Sequence, residues 1–339
     1  MGRAAETKNT VDVIVCHHTG SLIDRCLKSV SESYSNGLDI HPVVVTSTSV
    51  IFKGAVTYRN FDGPAHKRNL GMTYTIGEYA VFLDDDVEVS PYCIWNLVKE
   101  MEERPNCGMG FAKILNMERR DEFDDCGSWI TPTGFLFSRA QNHQKDNGQY
   151  DAPCPVLASK SATCIVRRDV FYKAGGFDKD YYILGEETDL AWRIWLTGYQ
   201  CWYFPSAKSW HAFGTSLKPK DQYYTLSRIH FHGCKNYINM LLTNLSTRRL
   251  LCILPIHSCI WVVSAVGFAL KGQLKRSWLI LSGIFWNITN LRNTLRKRRR
   301  IQQGKKVSEV DFWSLVSFSP PLEYYWNRIF RYVGQGLHG

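Results

Sequence analysis

Three consecutive carboxylates, Asp84, Asp85 and Asp86, follow directly on the apolar run YAVFL at 79–83. Crowded carboxylates repel one another and are driven towards protonation unless a cation offsets the charge. A hard divalent ion, Mn2+ or Mg2+, held by one or two carboxylates together with diphosphate oxygens is such an offset. The plain alternative is an acidic turn in solvent, and the buried strand in front of the triplet argues against it. A second acidic group, Glu186, Glu187 and Asp189, follows Gly185 at the start of a helical pattern. Carboxylates in a first helical turn are favoured by the helix dipole, and Asp189 and Arg193 have the spacing of an i, i+4 ion pair. The sharper reading makes one glutamate the general base for a hydroxyl group. His211 closes another apolar stretch. A single histidine is most often a structural hydrogen bonder, but beside a metal at Asp86 its neutral imidazole becomes a further ligand.

These groups need a scaffold that brings distant segments together. Residues 11–16, 41–46, 55–58 and 79–83 read as short β-branched or apolar strands, and residues 22–30 and 65–76 as helices between them. Residues 91–103 predict a helix, 118–125 (ERRDEFDD) a solvated loop, and 161–167 a strand followed by a short helical segment and the Gly175 and Gly176 turn. Residues 186–197 predict a helix ending at Gly198, and 200–204 a strand ending at Pro205. Strands alternating with helices indicate a mixed, mainly parallel sheet flanked by helices. Ligands then gather at the carboxyl ends of the strands, where the acidic triplet lies.

Four segments in this order resemble the inverting family-2 glycosyltransferases of GT-A (Rossmann-like) fold over about residues 10–218: VIVCHHTGSLIDRCLKSV (13–30), GPAHKRNLGMTYTIGEYAVFLDDD (63–86), GGFDKDYYILGEETDLAWRIWLTGY (175–199) and HAFGTS (211–216). Within that family the nearest look is of rhamnosyl- and galactosyl-type transferases of surface-polysaccharide synthesis. The resemblance implies that Asp84 and Asp86 are the outer residues of the D-x-D motif, facing ribose-diphosphate and metal, with Asp85 between them. It implies Glu187 as catalytic base, Glu186 and Asp189 as acceptor-facing, His211 as a metal or diphosphate contact, and Arg68 and Asn69 as neighbours of the nucleotide sugar. Cys16, His17 and His18 stand where the family places donor-binding residues of other types. The second strand ends in Thr46, Ser47, Thr48 and Ser49, without the family's carboxylate. Both departures fall on the nucleoside pocket.

The chain is 339 residues long with a formal charge of +10, but the charge is uneven. Residues 245–339 hold 15 Lys/Arg against 3 Asp/Glu, whereas 1–244 hold 26 against 28. Residues 250–270 carry no formal charge, a length able to span a bilayer. Pro255, His257 and basic residues on both flanks instead favour helices lying in the interface against anionic lipid. A second apolar stretch (277–291) and an aromatic mixture at 312–333 extend this region. The expected division is a transferase domain at 1–218, a connecting helical segment at 219–247, and a basic, apolar membrane-attachment region at 248–339. The eleven cysteines lack a C-x-x-C pair, and several, including Cys16, Cys164 and Cys252, sit in apolar runs as small buried hydrophobes. Met1 to Thr10 are polar and lack the apolar core of a signal peptide, so no secretion is expected and the sequons at Asn244 and Asn287 are expected to go unused.

The expectation is a metal-dependent transfer from a nucleoside-diphosphate sugar to a hydroxyl of a lipid-linked glycan, on the cytoplasmic face of a membrane. A single base opposite the leaving diphosphate gives one displacement and inversion. The rivals are transfer to a polyprenyl phosphate, and a non-catalytic scaffold that binds nucleotide sugar or, through the basic run RKRRR, nucleic acid.

Overall fold

A computed structural model describes residues 9–18, 21–60, 63–140, 144–212 and 227–326. The expected turn at Thr19 and Gly20, the motif residues 213–216, and the segments 219–226 and 327–333 lie outside these residues. The chain runs β1 (Asn9–His17), α1 (Ile23–Ser31), β2 (Leu38–Thr46), β3 (Val56–Arg59), α2 (Pro64–Thr73), β4 (Tyr79–Asp84), β5 (Val87–Val89) and α3 (Cys93–Glu102). It continues through β6 (Cys107–Asn116), β7 (Phe123–Asp125), β8 (Ser128–Ile130), β9 (Leu136–Ser138), β10 (Cys154–Pro155), β11 (Thr163–Arg167), α4 (Arg168–Lys173), α5 (Glu186–Leu196) and β12 (Gln200–His211). The C-terminal helices are α6 (Gly233–Asn244), α7 (Thr247–Leu270), α8 (Leu274–Thr289), α9 (Leu291–Gln303) and α10 (Glu309–Val316).

The main sheet has the order β10-β12-β6-β11-β4-β1-β2-β3, with β5 on β12 and β7 on β6. Strands β3, β2, β1 and β4 are parallel neighbours, β11 lies antiparallel between β4 and β6, and β12 is parallel to β6. Both faces are covered, so the inner strands are apolar on both sides. Val11, Val13, Val15, Val81 and Leu83 join one core with Ile23 and Val30 of α1 and Leu97 of α3. Ile14, Ala80 and Phe82 point to the other face, into a core with Ala65 and Met72 of α2 and Trp192 and Trp195 of α5. That second core runs on through Leu241 of α6, Ile253 of α7 and Phe312 of α10.

The structure corrects four local expectations. Strand β12 does not stop at Pro205 but continues to His211, crossing the proline at a register shift between Phe204 and Lys208, where a missing N–H is tolerated. The stretch 118–125 is solvated only in its first part, since Phe123 to Asp125 pair with β6 and Asp124 is buried. Helix α2 ends at Thr73, short of residue 76. Cys252 is exposed, because the face of α7 that carries it is turned outward.

Helix α7 passes through Pro255 without a break, and its length and composition suffice to cross a membrane. Its polar residue faces the protein: His257 is fully buried, with Nδ1 bonded to Thr133 O at 2.9 Å. Leu251, Val263, Val266 and Leu270 of α7 and Trp278, Phe285 and Ile288 of α8 are exposed, leaving a broad apolar surface. The sequon asparagines point inward. Asn244 Nδ2 donates to Asp189 Oδ1 at 2.8 Å, and Asn287 Nδ2 donates to Lys235 O and Gly283 O at 3.0 Å each.

Helix α2 can approach β1 because residue 71 is glycine: a Cβ there would lie 2.4 Å from Ile14 Cγ2. Gly71→Val is therefore expected to destabilise the fold by about 1–3 kcal/mol through overpacking, read as a lower urea midpoint at unchanged slope.

Candidate active site

Arg68 stands at the centre of the site. Pro64 at the first position of α2 sets the helix entry, and one turn later Arg68 is buried, with a side chain 2% exposed. Its Nη2 donates to Asp84 Oδ1 and its Nη1 to Glu186 Oε1, both at 2.8 Å. Burial alone would lower the guanidinium pKa, but Asp84, followed by Cys16 and Glu186, outweighs it and holds it well above its ordinary value. One cation thus joins the acidic triplet to the acidic pair, with Glu186 118 residues from Arg68 in sequence.

On the far side of Asp84, the ligand atoms of Asp84, Asp86 and His211 lie within 4.8 Å of one another. The extension of β12 makes this possible. Its pairing with β5 sets His211 opposite Val87, and Ala212 N donates to Asp86 O at 3.0 Å. His211 Nε2 is 3.2 Å from Asp86 Oδ1, and its Nδ1 bonds Asp124 Oδ2 at 2.8 Å. Burial pushes the imidazole pKa down, but the bonds to Asp124 and Asp86 prevail and raise it to about 10. Asp124 is itself fixed by Lys160 Nζ at 2.5 Å. Two carboxylates and an imidazole whose other nitrogen is oriented by a carboxylate suit a divalent cation, because such an outer partner fixes ring orientation and basicity.

The acidic pair opens α5. Glu186 is buried against Arg68, while Glu187 is half-buried and its pKa is pushed well above the ordinary carboxylate range by lost solvation and by the neighbouring Glu186. Asp189 turns into the protein, where it takes Arg193 Nε at 2.8 Å, Tyr181 Oη at 3.3 Å and Asn244 Nδ2. The i, i+4 pair of Asp189 with Arg193 is formed. Asn69 is likewise a clamp, since its amide donates to Phe177 O and accepts from Phe177 N, at 2.8 and 2.9 Å.

With this geometry in place, the comparison with known proteins is direct. Residues 79–293 match the family described as Glycosyl transferase family group 2. The chain belongs to that family. Its fold is GT-A. A crystal structure of GalNAc-T7 with UDP, GalNAc and Mn2+ superimposes with a TM-score of 0.56 at 16% identity, covering 84% of this chain and 58% of that one. A crystal structure of S. aureus TarS gives 0.52 at 15% identity, covering 87% of this chain and 55% of the other. The chain thus spans little more than half the length of either structure. No curated protein matches the sequence.

The remaining residues of this glycosyl transferase family group 2 site lie at the ends of β1 and β2. Cys16 is buried, its thiol pKa pushed up to about 12 by burial. His17 Nδ1 bonds Thr46 Oγ1 at 2.7 Å, and Thr46 Oγ1 reaches Thr48 Oγ1 at 2.9 Å, so hydroxyls and an imidazole line the position of the missing carboxylate. His18 N donates to Asp85 Oδ2 at 3.1 Å. Burial then raises the Asp85 pKa to about 6. Sequence reading missed two members of the site. Lys67 is buried and donates from Nζ to His17 O at 2.6 Å, with its pKa lowered by burial. Asp124 was hidden in a charged run, and only the Phe123 between its acidic neighbours hints at a strand.

Arg68→Met would strand Asp84 and Glu186 without their shared counter-charge. A loss of about 3–5 kcal/mol is expected, measured by denaturant titration, and a loss below 1 kcal/mol would show the pairing to be solvent-screened.

Proposed function

We propose that the chain transfers a sugar from a nucleoside-diphosphate sugar to a hydroxyl of a lipid-linked glycan, by a single inverting displacement at a membrane surface. The observation that carries this reading is Arg68, which ties the cluster of Asp84, Asp86 and His211 to Glu186 and so sets Glu187 beside it. Asp84 and Asp86 with His211 are the residues to hold Mn2+ or Mg2+, which when bound neutralises charge on the leaving diphosphate. Glu187 is the base. Its raised pKa makes it a better proton acceptor than an ordinary glutamate once ionised. It takes the hydroxyl proton as the acceptor oxygen bonds to the anomeric carbon and the bond to the diphosphate oxygen breaks on the opposite face. Glu186, ion-paired with Arg68, keeps a negative charge beside Glu187, and that pairing offsets its repulsion of the donor's diphosphate charge. Cys16, His17, His18 and Asp85 shape the nucleoside side. The exposed apolar surface of α7 and α8, next to the basic helix α9, supports an acceptor carried on anionic lipid. GalNAc-T7, solved with UDP, GalNAc and Mn2+, supports the donor and metal class.

The test is a nucleotide-sugar panel with Mn2+ or Mg2+ and membranes as acceptor source, scoring nucleoside-diphosphate release. Glu187→Gln is expected to lower transfer by about 10²–10⁴-fold while nucleotide affinity is kept. Full activity in that variant would remove Glu187 from the mechanism. Because the base acts only when ionised, kcat rises as pH rises through the Glu187 pKa, and that limb lies above the ordinary glutamate range. Glu186→Gln removes the neighbouring negative charge and is expected to move the limb to lower pH.

Asp124→Asn should weaken Mn2+ binding about 10–100-fold, measured by calorimetric titration without donor. Unchanged affinity would mean that His211 does not ligate.

A further inference from the structure

The segment entering α5 has an unusual backbone. Tyr182 and Leu184 have φ of 57° and 68°, and Gly185, the residue before the helix, has φ of 80°. Left-handed conformations at tyrosine and leucine persist only where surrounding structure over-determines them. Here the surrounding structure comes from the C-terminal helices. Asn236 of α6 is 3% exposed, and its Nδ2 donates to Tyr181 O at 3.1 Å, Ile183 O at 2.8 Å and Leu184 O at 2.6 Å. The adjacent Lys235, equally buried, donates from Nζ to Asp180 O. Lys297 of α9 closes the start of the segment, with Nζ 2.6 Å from both Asp178 oxygens and from Asp180 Oδ2. Two turns further along α6, Asn244 holds Asp189. Helix α6 therefore holds the chain on both sides of Glu187, through the segment before α5 and through Asp189 within it.

We infer that Asn236, with Lys297, is a positioning residue for Glu187: the C-terminal helices hold residues 178–185 in the strained path that presents the base. This rests on the reading of Glu187 as base. The side-chain nitrogen of Asn236 lies within 3.1 Å of three carbonyl oxygens that flank the two left-handed residues, those of Tyr181, Ile183 and Leu184. The helical region is thus part of the catalytic apparatus as well as a site of attachment.

The experiment uses the full chain as wild type, Asn236→Leu, Lys297→Met and Lys297→Arg. Hydrogen exchange is followed at 181–187 and at β4, and steady-state kinetics are measured with the donor found in the panel. For Asn236→Leu and Lys297→Met, exchange at 181–187 is expected to rise about tenfold or more with β4 unchanged. With the base misplaced, kcat should fall up to about 10²-fold at near-constant donor KM. Lys297→Arg, which keeps the ion pairs, should restore both. Wild-type exchange or wild-type kcat in both Asn236→Leu and Lys297→Met would overturn the inference. So would a general rise in exchange that includes β4, which would make these residues supports of the whole fold. Glu187→Gln is assayed in parallel. Activity retained there sinks the base reading itself, a failure distinguishable from a local exchange result that follows the Asn236 and Lys297 series.

Discussion

The site depends on one buried cation placed between two acidic groups. Removing a guanidinium from water is unfavourable, and the cost is recovered only if strong partners meet it with good geometry. Arg68 has two such partners, Asp84 at the end of β4 and Glu186 at the start of α5. The demand works in both directions. The carboxylates can sit close together in a low-dielectric pocket because Arg68 is there, and Arg68 can be buried because they are. The packing of α2 against β1, made possible by Gly71, fixes where that cation stands. A small displacement of α2 would be felt at both ends of the site at once.

The same economy of charge recurs next to it. His211 is held between Asp86 and Asp124, and Asp124 in turn takes Lys160, so charges alternate along a chain of contacts. None of these residues is near the others in sequence. They converge because β12 is long enough to pair with β6 and β5 together, which carries His211 back to the strand end that bears Asp86.

That convergence marks the limit of what the sequence discloses. The strands β1, β2 and β4 and the helices α1, α3 and α5 are legible, because their apolar residues recur with the right period and glycines or polar residues bound them. Strand β6 is not, because Gly108, Gly110 and Lys113 interrupt its pattern. Yet Gly110 is there for the ring of Phe204, whose nearest atom lies 2.2 Å from the place of its missing Cβ, and Lys113 is buried against Asp146 at 2.7 Å. The passage of β12 through Pro205 was equally hidden, since a register shift is a property of the partner strand and not of the proline. Asp84, Asp86 and His211, which the fold gathers into one cluster, each lie in a segment that stands out in the sequence. Residues recruited by tertiary contact, Lys67, Asp124 and Asn236, do not stand out, because nothing local distinguishes them from a solvated lysine, a loop aspartate and a helical asparagine.

The inward-pointing asparagines Asn244 and Asn287 carry a consequence of another kind. Each belongs to an acceptor sequence for N-linked oligosaccharide, and each spends its amide on a bond inside the protein. A bulky hydrophilic chain attached to either nitrogen would have to occupy the space now filled by Asp189 or by the backbone of Lys235. Modification and folding are therefore mutually exclusive at these two positions. A ribosome delivering this polypeptide into a compartment that modifies nascent chains would yield a product unable to close its own bundle.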